Sequence, residues 1–157
     1  MMDQAEFTSR ANACAERLFR VSWCILRNPA DCEDAVQEAL LRAWNRLHTL
    51  RNKDYFETWL TRILINESRR ILRRRLRYPT VEIEENIADI PAELPDPTLS
   101  DAIRRMDEKY AMPLILRHVS GYSAEEVGRI LKLPLSTVKY RLSEARRRLQ
   151  QELYSGV

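Results

Sequence analysis

The sequence has few glycines, 3 among 157 residues. Strand-and-turn architectures and glycine-rich phosphate loops both need residues that accept positive φ, so neither is expected. No uncharged run approaches the ~20 residues that span a bilayer, and the first residues lack the basic and apolar regions of a signal peptide. These absences predict an all-α protein that works in the cytoplasm.

Residues for metal binding or nucleophilic catalysis are also sparse. The three cysteines, Cys14, Cys24 and Cys32, lie far from the two histidines, His48 and His118, and have no zinc-site spacing. The sequence contains no nucleophile elbow and no paired histidines. We therefore expect no catalytic residue, metal, cofactor or small-molecule substrate. Cys14, on an apolar stripe, is expected to behave as a small hydrophobe, and a redox role for the cysteines is the alternative.

Charge is distributed unevenly along the chain. Residues 1–78 carry 15 basic and 10 acidic side chains, residues 79–100 carry none and 6, and residues 101–157 carry 11 and 7. The acidic segment also contains four of the chain's prolines, which disfavour helix. This pattern predicts two small helical domains, 1–78 and 101–157, joined by an acidic linker over 79–100.

Apolar spacing predicts three helices in the first domain. The first carries Phe7, Cys14 and Leu18 on one face and should end near Pro29. The second is expected to begin at Asp31 as its cap, with Val36, Leu40, Ala43 and Leu47 turned inward. The third is expected from about Tyr55 to Arg77, and its last turns are rich in arginine.

The second domain contains a helix-turn-helix pattern. A capping box at Ser123–Glu126 predicts a short helix to Leu131. After a turn, Ser136 is expected to cap a longer helix that turns its basic side chains outward. In such motifs the second helix enters the DNA major groove through its N-terminal residues.

Four segments in the same order resemble the bacterial extracytoplasmic-function sigma factors: 31–44 (DCEDAVQEALLRAW), 59–66 (WLTRILIN), 121–127 (GYSAEEV) and 136–142 (STVKYRL). The resemblance implies a dissociable promoter-recognition subunit of RNA polymerase with a region 2-like N-terminal bundle and a region 4-like C-terminal domain. It also implies three partners: the clamp helices and flap of core RNA polymerase, promoter DNA, and a cognate anti-sigma factor, often membrane-anchored.

The resemblance assigns three groups of site residues. Docking on the polymerase clamp falls to Asp31, Asp34, Gln37, Glu38, Leu41 and Trp44. Contact with the unpaired strand of the -10 element falls to Arg51, Asn52, Lys53, Tyr55, Phe56, Trp59, Arg62, Asn66, Arg69, Arg70, Arg73 and Arg74. Reading of the duplex -35 element falls to Ser136, Thr137, Lys139, Tyr140 and Arg141, with Arg146, Arg147 and Arg148 on the DNA backbone.

Other interpretations stay open at this point. Trp59 is either a core residue or a strand contact, and the docking residues are otherwise a solvated acidic face with Trp44 in the core. The arginines at the end of the third helix either contact DNA or form a solvated helix end that complements the helix dipole. The linker either follows the polymerase cleft or is a simple tether. The chain also departs from the family pattern at Gly128, Lys132 and Ser136, and Pro113 falls inside an expected helix, where a kink or a late helix start would absorb it. The competing functions are a stand-alone helix-turn-helix regulator and an interaction protein whose basic tracts are only surface.

Overall fold

A computed structural model describes residues 2–78 and 97–155. The chain divides into two compact units, Met1–Ile90 and Pro91–Val157. All regular structure in the described residues is helical, which confirms the predicted all-α fold. The first unit contains α1 (Gln4–Leu26), α2 (Pro29–Asn45) and α3 (Phe56–Arg77), with two short 3-10 helices, Leu47–Thr49 and Lys53–Tyr55. The second contains α4 (Pro97–Arg105), α5 (Glu108–Leu114), a π-helical turn (Ile115–Val119), α6 (Ala124–Leu131) and α7 (Leu135–Ser155).

The first unit is a three-helix bundle in which every helix packs against the other two. The predicted stripe of α1 is buried, and Leu18 and Val21 are fully enclosed together with Leu60 and Leu64 of α3. The side chain of Asp3 caps α1 by accepting a hydrogen bond of 2.8 Å from the backbone N–H of Glu6. A central apolar core thus fixes the three helices.

Helix α2 begins earlier than predicted, and of the four residues predicted to point inward only Ala43 and Leu47 are buried. Its cap is Asn28 and not Asp31, because Pro29 suits the first helical position and Asn28 accepts from the N–H of Asp31 at 3.0 Å. The fully buried residues are small: Cys32, Ala35, Ala39 and Ala43. Val36 and Leu40, predicted to point inward, are only half-buried. Small residues let α2 approach its neighbours closely, which leaves part of the longer aliphatic side chains at the surface.

The second unit begins within the predicted linker. Helix α4 starts at Pro97, so residues 97–100 are helical and only the earlier part of the linker prediction, 79–96, lies outside the described residues. Pro113 is accommodated near the end of α5, where the chain passes into the π-helical turn. The proline therefore does not break the helical path, and the wider π-helical pitch begins only after it.

The helix-turn-helix forms as predicted, with one shift at its second helix. Ser123 and Glu126 make both hydrogen bonds of the capping box, at 3.1 and 3.0 Å. Helix α7 starts at Leu135, so Ser136 lies inside the first turn and is not the cap. Val138, Leu142 and Ala145 are buried, which turns the opposite side of α7 to solvent.

Candidate functional site: a docking face and two basic nucleic-acid surfaces

The residues assigned to polymerase docking form one largely exposed surface on α2, called here the docking face: Asp31, Asp34, Gln37, Glu38, Leu41 and Trp44. Leu41 is 56% exposed and Trp44 is 41% exposed, although both are large and apolar. Asp34 and Gln37 are also exposed. Exposed apolar side chains at the C-terminal end of α2, next to carboxylates nearer its N-terminus, are a composition that suits a protein interface.

Two carboxylates of the docking face are held by arginines of the same chain. Arg75 of α3 pairs with Asp31 and also donates to the carbonyl of Leu26 at 3.1 Å. Arg42 Nε lies 3.3 Å from Glu38 Oε1, one helical turn away. These pairs fix Asp31 and Glu38 in position, whereas Asp34 is the more exposed carboxylate.

Trp44 is anchored from behind by an aromatic cluster. Its ring meets Phe7 edge-to-face with 5.2 Å between centroids, and Phe7 packs in the same way on Phe56 at 5.5 Å. Phe56 is 3% exposed and also contacts Trp59, at 6.1 Å. Phe56 is therefore a core residue and not an accessible DNA contact, while the half-buried Trp59 has one side in the core and one at the surface.

The loop before α3 is held by α1. Arg10 donates to the carbonyl of Lys53 at 2.7 Å, and Lys53 Nζ lies 3.3 Å from a carboxylate oxygen of Glu6. Asn52 accepts from the N–H of Asp54 at 2.9 Å, which starts the 3-10 turn. Arg51, Asn52, Lys53 and Tyr55 are all exposed. The structure thus fixes the shape of this loop while leaving its side chains accessible.

The arginines assigned to the -10 strand line the outer side of α3. Asn66, Arg70, Arg73 and Arg74 are exposed, and Arg62 and Arg69 are half-buried. Their spacing of three and four residues puts most of them on adjoining turns of one broad face, here called the strand face. A row of guanidinium groups, interrupted by Asn66, suits the backbone of a single strand.

Sequence reasoning missed a charged cluster beneath the strand face. Glu67 is buried, 4% exposed overall. Its Oε1 lies 2.7 Å from Arg42 Nε of α2, and its Oε2 lies 3.7 Å from Arg70 Nη1. The available signal was that Glu67 is the only acidic residue between Trp59 and Arg77, a segment with seven arginines. Sequence spacing gave no sign of the partner on α2.

The -35 residues are presented at the start of α7. Ser136, Lys139 and Tyr140 are exposed, and Thr137 and Arg141 are half-buried. Tyr140 is 63% exposed. This combination offers cations, hydroxyls and an aromatic ring to base edges and phosphates along one helical end.

The three arginines further along α7 are already paired within the second unit. Arg147 donates to Glu144 at 3.1 Å, and Arg148 donates to Glu144 at 3.0 Å and lies 4.2 Å above the ring centroid of Tyr110. The two guanidinium groups hold the pKa of Glu144 down at about 2. Arg146 lies 3.3 Å from the ring of His118, whose pKa is lowered by burial and then by Arg146 and Arg117. A phosphate contact by Arg147 or Arg148 would compete with Glu144.

The turn between α6 and α7 accounts for two departures from the family pattern. Lys132 adopts a left-handed conformation with φ of 55°, and the N–H of Leu133 donates to the carbonyl of Gly128 at 2.9 Å. A Cβ at Gly128 would stand 2.9 Å from the carbonyl oxygen of Leu133. The tight approach of the turn therefore requires glycine at position 128, whereas lysine at 132 bears a conformational cost.

The cysteines are structural residues of the first unit. Cys14 and Cys32 are buried and Cys24 is half-buried. Burial raises the pKa of Cys14 and Cys32 to about 11 and that of Cys24 to about 12. Among the described residues, the histidines, cysteines and acidic residues form no group that could hold a metal ion. Within the same residues, no helix combines the length and apolar character of a membrane span.

Two helical units, the second a helix-turn-helix with basic residues at the start of its second helix, have the architecture of a DNA-binding protein. Family models agree in both units: sigma-70 region 2 matches residues 11–78 and sigma-70 region 4 matches residues 98–149. The chain therefore belongs to the sigma-70 family of RNA polymerase sigma factors.

The similar proteins place it in the extracytoplasmic-function (ECF) group. The ECF RNA polymerase sigma factor SigW of Bacillus subtilis is 27% identical over 96% of this chain and 90% of that protein. The RNA polymerase sigma-E factor of Streptomyces coelicolor is 29% identical over 98% of this chain and 89% of its own length.

Solved structures of similar proteins share the fold. The sigma factor RpoE of Bartonella quintana, crystallised with the anti-sigma factor NepR, is 28% identical, with a TM-score of 0.75 over 94% of this chain and 96% of that one. CnrH, solved in complex with the cytosolic domain of CnrY, gives the same TM-score at 20% identity, over 99% of this chain and 92% of the other, a likeness of fold alone.

Proposed function

We propose that this protein is an ECF sigma factor that docks on core RNA polymerase through α2, holds the unpaired -10 strand on α3 and reads the -35 duplex with α7. The observation that carries the proposal is the order of surfaces along one chain: an interface-like face on α2, a row of arginines on α3 and a basic helix-turn-helix, each inside a matching family region. Its role is to direct initiation, and catalysis belongs to the polymerase. It works in the cytoplasm, where its polymerase partner acts.

Docking is supported by the exposure of Leu41 and Trp44. Burying one large apolar side chain contributes on the order of 2 kcal/mol. Without a partner these two side chains face water, and a clamp helix laid along α2 would cover them. The exposed Asp34 and the nearby Gln37 would then form the charged and polar rim that sets the orientation of the complex.

Strand capture is supported by the rigid loop before α3 and the guanidinium groups on the strand face. Arg51, Asn52, Lys53 and Tyr55 would border the flipped base. Trp59, Arg62, Asn66, Arg69, Arg70, Arg73 and Arg74 would follow the strand, with the exposed side of Trp59 available for stacking. Phe56 supports Trp59 from the core and is no longer among the proposed contacts.

Reading of the -35 element is supported by the exposed start of α7. Lys139 and Arg141 would approach base edges or phosphates, and Ser136, Thr137 and Tyr140 would complete the contact. Arg146, Arg147 and Arg148 would neutralise phosphates on the flank. Since Arg147 and Arg148 are shared with Glu144, most of the specificity is assigned to the first turns of α7.

An anti-sigma factor is the proposed regulator. The similar RpoE structure is a complex with the anti-sigma factor NepR, and this chain exposes a docking face and two basic surfaces that a regulator could cover. We infer that a cognate anti-sigma factor, membrane-anchored or free, controls this chain by covering the docking face or the basic surfaces. The clamp helices and flap of core polymerase and promoter DNA are the other partners.

In vitro transcription on a library of random promoters tests the proposal. Core polymerase with this protein is expected to give discrete transcript starts preceded by two spaced motifs, and core polymerase alone is expected to give none. Failure to start transcription beside an active control sigma factor would contradict the proposal. Specific duplex binding without polymerase would instead favour the stand-alone regulator, and binding to no DNA would favour the interaction protein.

A further inference from the structure

Four charged side chains connect the docking face to the strand face. Glu38 lies on the docking face and Arg70 lies on the strand face. Between them, Arg42 is 3.3 Å from Glu38 and 2.7 Å from Glu67, and the other carboxylate oxygen of Glu67 is 3.7 Å from Arg70. The order is Glu38, Arg42, Glu67, Arg70, with alternating charge.

The two end residues of this row are more exposed to solvent than the two residues between them. Glu38 and Arg70 at the ends are 46% and 52% exposed, whereas Glu67 is 5% exposed and Arg42 27%. A buried carboxylate must be neutralised by its neighbours, and Glu67 has one arginine on each oxygen. The two arginines therefore neutralise Glu67 together. A closer ion pair with one arginine weakens the attraction between Glu67 and the other.

Arg42 in turn is shared between two carboxylates through a single nitrogen. Its Nε is within 3.3 Å of both Glu38 and Glu67. The Nε–H is not aligned for a hydrogen bond with either carboxylate, so the sharing is an electrostatic one between ion pairs. If a cationic group of a partner forms an ion pair with Glu38, Arg42 is left with Glu67 as its only carboxylate partner. Glu67 then holds Arg70 less strongly, and Arg70 becomes available to a phosphate.

We propose that Glu67 is a positioning residue that restrains Arg70 in the free protein and releases it when Glu38 is engaged at the docking face. This inference rests on the proposed function of the two faces. It gives docking on polymerase a direct electrostatic effect on strand binding, and by linkage strand binding favours docking to the same degree.

The test uses the full chain, a fluorescein-labelled single-stranded oligonucleotide of random sequence, and anisotropy at low salt. Glu38→Gln removes the carboxylate that competes for Arg42 and so imitates engagement of the docking face. We expect the tightening of binding by Glu38→Gln to exceed that by Glu33→Gln about threefold, a size suited to weakening one ion pair whose arginine is half exposed. Glu33 is exposed on the same helix and is the matched control for the loss of one negative charge.

Two backgrounds distinguish positioning from general electrostatics. In Glu67→Gln the restraint is already absent, and in Arg70→Gln the released group is missing. In both, Glu38→Gln is expected to act no more strongly than Glu33→Gln. Glu67→Gln leaves no buried carboxylate, and Arg42 keeps Glu38 as its partner, so the fold is expected to persist. Helicity measured by circular dichroism checks that each variant keeps its fold.

The outcomes separate this inference from the proposed function. An equal effect of Glu38→Gln and Glu33→Gln in the wild-type chain, or an effect of Glu38→Gln that persists in either background, would overturn the positioning role. Strand binding and promoter-directed transcription by the wild-type chain would be unaffected by that result. If no variant bound the oligonucleotide and transcription also failed, α3 would not be a strand-binding surface. Both proposals would then be wrong.

Discussion

At the scale of single residues, burial decides which side chains are available for chemistry. The three thiols have pKa values of about 11 to 12 because burial disfavours the thiolate. Only a very small thiolate fraction is present near neutral pH. Burial also excludes Phe56 from the proposed DNA contacts, because its ring lies in the core between Phe7 and Trp59.

The thiols are therefore expected to resist alkylation in the native protein. At pH 7.5, iodoacetamide should label none of the three cysteines within a time that fully labels the protein in urea. Mass spectrometry of the intact chain counts the added groups. Rapid native labelling of Cys24, the least enclosed of the three by exposure, would contradict the structure and reopen a redox role.

Lys132 is expected to be a stability defect in the helix-turn-helix. Its φ of 55° suits glycine, so Lys132→Gly should raise the free energy of unfolding by about 0.5–1 kcal/mol. Lys132→Ala is the matched control, because it removes the charge but keeps the unfavourable φ. Urea unfolding followed by circular dichroism compares the three proteins. Equal gains for both variants would assign the effect to the charge.

At the scale of elements, the sequence pattern predicted every α-helix of the first unit but only part of the buried face of α2. Two stripes compete on that helix, one of alanines with Cys32 and one of larger aliphatic residues. Periodicity selects the larger side chains, but close helix packing favours the small ones, so Val36 and Leu40 end half-buried. Likewise, the Glu67–Arg42 pair joins two helices, and spacing within one helix gives no information about such pairs.

This geometry makes Leu41 the sharpest probe of docking. Trp44 also packs on Phe7, so its removal disturbs the bundle, whereas Leu41 is 56% exposed. Leu41→Asp is expected to weaken polymerase binding by about 1.5–3 kcal/mol, the contribution of one buried apolar side chain, with unchanged thermal stability. The matched control is Leu153→Asp on α7, at a leucine that is 40% exposed and outside the docking face. Equal binding by the two variants would contradict docking through α2.

At the scale of the whole molecule, the proposed DNA contacts are divided between two compact units. Arg73 of the first unit is assigned to the -10 strand, and Lys139 of the second to the -35 duplex. Effects at distant sites without shared partners add in free energy. Composition alone shows two basic segments on either side of an acidic one and assigns no role to either. The separate roles came from the resemblance to a known family.

The losses caused by Arg73→Gln and Lys139→Ala are therefore expected to multiply. On a promoter with both elements, each variant should lower the initiation rate of the holoenzyme several-fold, by about 1 kcal/mol, as expected for the loss of one charged contact. The double variant should show the product of the two factors within about twofold, the usual limit of additivity for independent sites. On a promoter that lacks the upstream element, only Arg73→Gln should retain its effect. If Arg73→Gln left initiation unchanged while Lys139→Ala abolished DNA binding, the second unit would be acting by itself, as in a stand-alone regulator.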